Sequence, residues 1–130
     1  MKKENGYTLK ARLRSFGHAL NGMLEFFKRE VNAQIHLLAT VVCVSAGWYF
    51  EISASDWLWV ASAIAAVITV EIINTAIEEL VDLVHPEQHP KAGFVKDLAA
   101  SAVLITAFYA LIVGVAIFYD PITSLFGSEF

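Results

Sequence analysis

Hydrophobic and polar positions divide the chain into four blocks. In the first, Leu9, Leu13, Phe16, Leu20, Leu24 and Phe27 recur at helical spacing, while Lys10, Arg14, Asn21, Glu25 and Lys28 fall largely elsewhere. The pattern predicts an amphipathic helix over 8–30, with Thr8 placed to cap its start. A basic polar face opposite an apolar one suits a helix lying in a membrane interface. The second block, 33–50, is apolar apart from Gln34 and His36 near its start, and it ends on the interface-loving aromatics Trp48 and Tyr49. It is just long enough for a hydrocarbon core of roughly 30 Å. The polar connector EISASD (51–56) is tight enough to force an antiparallel return, with Ser55 or Asp56 as the expected cap of a helix over 57–83. Residues 84–95 hold Pro86, Pro90 and Gly93 and are predicted as a loop. A last helix over 97–119 contains an uncharged run from Leu98 to Tyr119, and Asp120-Pro121 is expected to end it.

This predicts an all-α membrane protein: three transmembrane helices plus an N-terminal amphipathic interfacial helix, in one domain over 1–130, with residues 1–7 as a polar tail. Composition agrees, because 57% of the residues are hydrophobic, too many for a soluble domain of this size. The single cysteine, Cys43, excludes a disulfide framework or a cysteine metal cluster. No cleavable signal peptide is expected, since the first apolar run follows about thirty polar-rich residues. The net charge of −4 matters less than its distribution. Seven of the nine Lys and Arg precede residue 30, Lys91 and Lys96 lie in or beside the second connector, and none lies in 51–56 or after 119. The positive-inside rule then places the N-terminus and second connector in the cytoplasm.

Candidate chemistry concentrates in VEIINTAIEELVD (70–82), which continues from a run without charge, Trp57 to Val70. Glu71, Asn74, Glu78 and Asp82 fall within an arc of roughly 80° at 100° per residue. A carboxylate at membrane depth costs on the order of 2.5 kcal/mol or more, so a polar stripe there marks a functional site facing protein or an aqueous cavity. A packing seam between helices is the structural alternative. In the predicted topology the stripe descends toward the cytoplasmic surface, and Glu79, to one side of it, is able to snorkel or pair separately.

No P-loop, dinucleotide fingerprint or soluble-kinase HRD and DFG set is present. What remains is carboxylate-rich: Glu30, Glu71, Glu78, Asp82 and Asp97, all expected near the cytoplasmic interface, with Lys96 beside Asp97. Oxygen ligands of this type suit Mg²⁺ shared with substrate phosphates, and a lysine there suits a phosphate. Metal-assisted phosphoryl transfer is one reading; a small transporter or proton-coupled channel also uses intramembrane carboxylates. His85 and His89 are expected as an exposed loop pair, and His36 as an interfacial histidine or a site residue.

VEIINTAIEELVD, followed fourteen residues later by KDLAASAVL, resembles the prokaryotic diacylglycerol kinase and undecaprenol kinase family of small membrane lipid kinases. The likeness extends over about 12–120 and includes RLRSFGHALNG and EVNAQIHLLAT. It implies a homotrimer with active sites between subunits near the cytoplasmic side of a bacterial inner membrane, using ATP and Mg²⁺. Carried over, Glu71 is the catalytic base, Glu30 and Glu78 hold Mg²⁺ with the ATP phosphates, and Asn74 supports the site. Asp82, Lys96 and Asp97 engage the nucleotide, and Arg12 or Arg14 is the basic residue of the amphipathic helix. Gln34 stands where many relatives carry an arginine. NTAIE and KDLAASAVL are closer to the undecaprenol kinase branch than to the diacylglycerol kinase branch.

Overall fold

The computed structural model describes residues 8–127; the polar tail predicted over 1–7 lies outside them. The described residues form four helices: α1 (Leu9–Arg29), α2 (Val31–Tyr49), α3 (Ala54–Val84) and α4 (Pro90–Gly127). The last three are long and apolar enough to cross a membrane. The protein is therefore an all-α, multi-pass membrane protein.

Helix α1 starts as its sequence predicts, with the Thr8 side chain accepting a hydrogen bond from the Ala11 N–H. Leu9, Leu13, Phe16, Leu20 and Leu24 remain exposed, leaving the apolar stripe unpartnered among the described residues. Phe26, not Phe27, is the aromatic that turns fully inward, with the two rings edge to face. A single extended residue, Glu30, separates α1 from α2. Gln34 secures this elbow: its Nε2 donates to the carbonyls of Phe27 and Lys28, which have lost their helical partners. The residue replacing the family's arginine thus has a structural task of its own.

The turn from α2 to α3 is built from two interlocking caps. The Ile52 N–H bonds to the Gly47 carbonyl and the Glu51 N–H to that of Trp48, the pattern of a Schellman motif. Glu51 takes the left-handed conformation (φ 51°) that glycine usually fills. Gly47 is required by close approach, because a Cβ there would lie 2.7 Å from the Trp57 ring. Helix α3 then opens with a capping box between Ser53 and Asp56. The cap is Ser53, earlier than the expected Ser55 or Asp56, because Asp56 serves as the third helical residue that reaches back.

Two proline expectations are corrected. Pro90 begins α4 instead of belonging to the loop, so that only residues 85–89 connect α3 and α4. Proline fits a first helical turn because its missing N–H would be unpaired there in any case, and His89 Nδ1 accepts the Lys91 N–H. Pro121 does not stop α4, which runs on to Gly127. Proline removes one ladder bond, and Thr123 and Ser124 hydroxyls donate to the Asp120 and Pro121 carbonyls in the following turn.

Helices α3 and α4 make the most extensive pairing, and the Ser62 and Tyr109 hydroxyls join them at 2.9 Å. The buried face of α3 is one stripe: Val60, Ala63, Val67, Glu71 and Asn74. It passes from apolar to polar without leaving that face.

Candidate active site

Depth along α3 sorts the site. At 1.5 Å per residue, Glu71 lies about 21 Å from Trp57, Glu78 about 32 Å and Asp82 about 38 Å. With Trp57 at one interface of a core roughly 30 Å thick, Glu71 is inside the far edge, and Glu78 and Asp82 emerge among headgroups.

Glu71 is 3% exposed and Asn74 7%. Glu71 Oε1 lies 3.1 Å from His36 Nε2 on α2, and among the described residues that is its hydrogen-bond partner. Asn74 Nδ2 donates to Glu78 Oε1 at 2.9 Å, one helical turn on. Among the described residues Asn74 Oδ1 is buried with no partner, an oxygen that a packed interior normally satisfies. Lys96 on α4 donates to both carboxylate oxygens of Asp82, at 2.7 and 2.9 Å, so the two nucleotide-side candidates meet across the α3–α4 junction. The pair lines a cleft of about 520 Å³ with His85, His89 and Glu87. His85 and His89 stack with ring centroids 5.0 Å apart and are exposed, as expected of a loop pair.

Other candidates stand apart. Asp97 is exposed beside Lys96, and Arg12 and Arg14 are exposed on α1. Glu30 is half-buried at the α1–α2 elbow, its backbone committed to Phe26 and Gln34, while among the described residues no hydrogen bond holds its carboxylate. Among the described residues no three His, Cys, Asp or Glu side chains converge on a common metal position. Glu30, Glu71 and Glu78 thus do not form a ligand cluster within one chain.

The partner that sequence reasoning did not assign is His36. Its signal was an imidazole in an apolar segment, but its pairing with Glu71 depends on how α2 sits against α3. His36 also lines a cavity of about 310 Å³ between α2, α3 and α4, whose other walls include Ala39, Ala63, Val67 and Ala110. A buried carboxylate with one hydrogen-bond neighbour and a second oxygen without one can accept a proton from a hydroxyl brought to it.

Comparison with known proteins gives the family of the chain. A sequence model of the family described as prokaryotic diacylglycerol kinase matches residues 17–118. The undecaprenol kinase of Bacillus subtilis is 35% identical over 116 residues, covering 89% of this chain and 94% of that protein. A diacylglycerol kinase of Synechocystis is 35% identical over 85% of this chain and 64% of its own length. The diacylglycerol kinase of Escherichia coli is 28% identical over 77% of this chain and 82% of its own. The three apolar helices, the polar end of the α3 stripe and these matches place the chain in the prokaryotic diacylglycerol kinase family, as a membrane lipid kinase.

Proposed function

We propose that the protein transfers the γ-phosphoryl group of ATP to the hydroxyl of a membrane lipid alcohol, with undecaprenol favoured over diacylglycerol. The observation that carries this reading is the buried Glu71 at the inner edge of the bilayer, where a lipid hydroxyl and a cytoplasmic nucleotide can meet. The lipid preference is supported by the near-complete overlap with the Bacillus subtilis enzyme and by the NTAIE and KDLAASAVL segments.

In the proposed reaction Glu71 takes the proton as the lipid O–H bond breaks. The lipid oxygen bonds to the γ-phosphorus, and the bond from that phosphorus to the bridging oxygen breaks, leaving ADP. Positioning and charge neutralisation are the protein's main contributions to such a transfer. Glu78 and Glu30 would hold Mg²⁺, and the partnerless Asn74 Oδ1 is a further hard oxygen donor suited to it. The bound ion supplies charge neutralisation on the phosphates. Lys96, once released from the exposed Asp82 pair, reaches a phosphate, with Asp82 and Asp97 on the nucleotide side and Arg12 or Arg14 contributing from α1. Because Glu30, Glu71 and Glu78 do not cluster within one chain, a homotrimer with shared sites fits the carboxylate distribution. The α1 stripe lies on the cytoplasmic face of a bacterial inner membrane, with the N-terminus inside.

A transporter would need a polar route outward from Glu71. The α3 stripe beyond it is Val67, Ala63 and Val60, which disfavours that reading.

The test is labelled-phosphate transfer from Mg-ATP by purified protein in lipid micelles, with undecaprenol and diacylglycerol offered separately. Transfer to undecaprenol is expected. Transfer to diacylglycerol alone would reassign the substrate, and no transfer to either would overturn the lipid-alcohol reading. For the shared site, mixing Glu30→Gln with Glu71→Gln subunits should restore turnover that each lacks alone.

A further inference from the structure

We propose that His36 is the positioning residue for Glu71: its Nε2–H donates to Oε1 and leaves Oε2 directed to the substrate hydroxyl. The inference rests on the reading of Glu71 as base. An imidazole nitrogen 3.1 Å from a carboxylate oxygen requires one proton between them. With the carboxylate ready to accept a proton, that hydrogen belongs to the imidazole. The donor satisfies Oε1 and fixes the carboxylate plane. Among the described residues Oε2 has no hydrogen-bond partner, yet it is not fully enclosed. One oxygen is therefore held and the other is left unpaired and not fully enclosed, the arrangement a general base needs.

The pair is poorly explained as a staple between helices. Its carboxylate is almost fully buried, and two polar groups taken from water generally stabilise a fold no better than apolar residues of similar size. Helix α2 also packs on α3 far less extensively than α4 does, so α2 brings little to Glu71 besides this imidazole. His36 has a firm base: the Thr40 hydroxyl donates to its carbonyl at 2.8 Å, and Gln34 anchors the elbow just before it. Its ring is 23% exposed and borders the cavity of about 310 Å³, which gives a small molecule room beside it.

The experiment compares His36→Ala, His36→Gln and Glu71→Gln in the full-length protein, in micelles containing Mg-ATP and the accepted lipid, with folding checked by thermal unfolding in detergent. His36→Ala should lower kcat about 10²-fold, the scale of a mispositioned reacting group, without changing KM for Mg-ATP. Added imidazole should restore much of that loss in His36→Ala and nothing in Glu71→Gln. His36→Gln, whose side-chain amide offers an N–H at a similar reach, should keep most of the wild-type kcat. Should the alanine variant not fold, the glutamine variant decides: kcat near wild type supports the donor role, and kcat as low as that of Glu71→Gln overturns it. Wild-type kcat in His36→Ala, or a loss that neither imidazole nor glutamine repairs, would also overturn the positioning role. An active Glu71→Gln would instead remove the base assignment on which the proposal stands.

Discussion

The two halves of α3 share one helix and one buried face, yet they answer to different demands. In the N-terminal half the face is Val60, Ala63 and Val67, and the helix begins in a complete capping box. In the C-terminal half it is Glu71 and Asn74, with one amide oxygen left unsatisfied among the described residues. An apolar pair at 71 and 74 would continue the packing at lower cost, since a buried unpaired polar group costs about 1–3 kcal/mol. The N-terminal half is thus chosen for packing and the C-terminal half against it, which is the expected mark of a functional site.

Exchanging properties between the halves tests that contrast. After Glu71→Gln, the largest effect is expected for Glu78→Gln, which removes a charge from the metal side of the stripe: activity should fall about 10²-fold, with KM for Mg-ATP raised in steady-state assays. Val67→Asn places an amide in the apolar half. It should destabilise the protein by about 2 kcal/mol in detergent unfolding while leaving the kcat of the folded fraction unchanged. Asn74→Leu makes the reverse exchange. Turnover should drop about tenfold if one hydrogen bond near 1.4 kcal/mol is lost from the site, while unfolding shows equal or greater stability. The smallest effect belongs to the α2–α3 turn, where Glu51→Gly relieves a left-handed backbone. It should raise stability by about 0.5–1 kcal/mol without altering turnover.

How much of this is legible from sequence follows the same division. The period of α3, its polar stripe and the apolar spans are local properties; α2 and α3 emerge at nearly the expected positions, whereas α4 extends beyond its expected range at both ends. The Asp82–Lys96 meeting follows from an antiparallel return of α4 against α3, although a Pro- and Gly-rich segment concealed where α4 begins. The His36–Glu71 pair was not legible, because it depends on the rotation of α2 and not on any spacing within one helix. Gln34 was visible only as a departure from the family arginine; its capping of the α1 carbonyls needs the one-residue elbow at Glu30. Pro121 misled because a proline signal reports one lost bond, whereas α4 continues on the strength of the turns around it.

The central claim is that the polar C-terminal half of α3 carries the chemistry through Glu71. Its most direct measurement is labelled-phosphate transfer by Glu71→Gln beside the wild type, with Mg-ATP binding and thermal unfolding recorded on the same samples. The expected result is wild-type folding and nucleotide binding with turnover lost by about 10³-fold, the range for removing a general base. Turnover retained in that folded, nucleotide-bound variant would contradict the account.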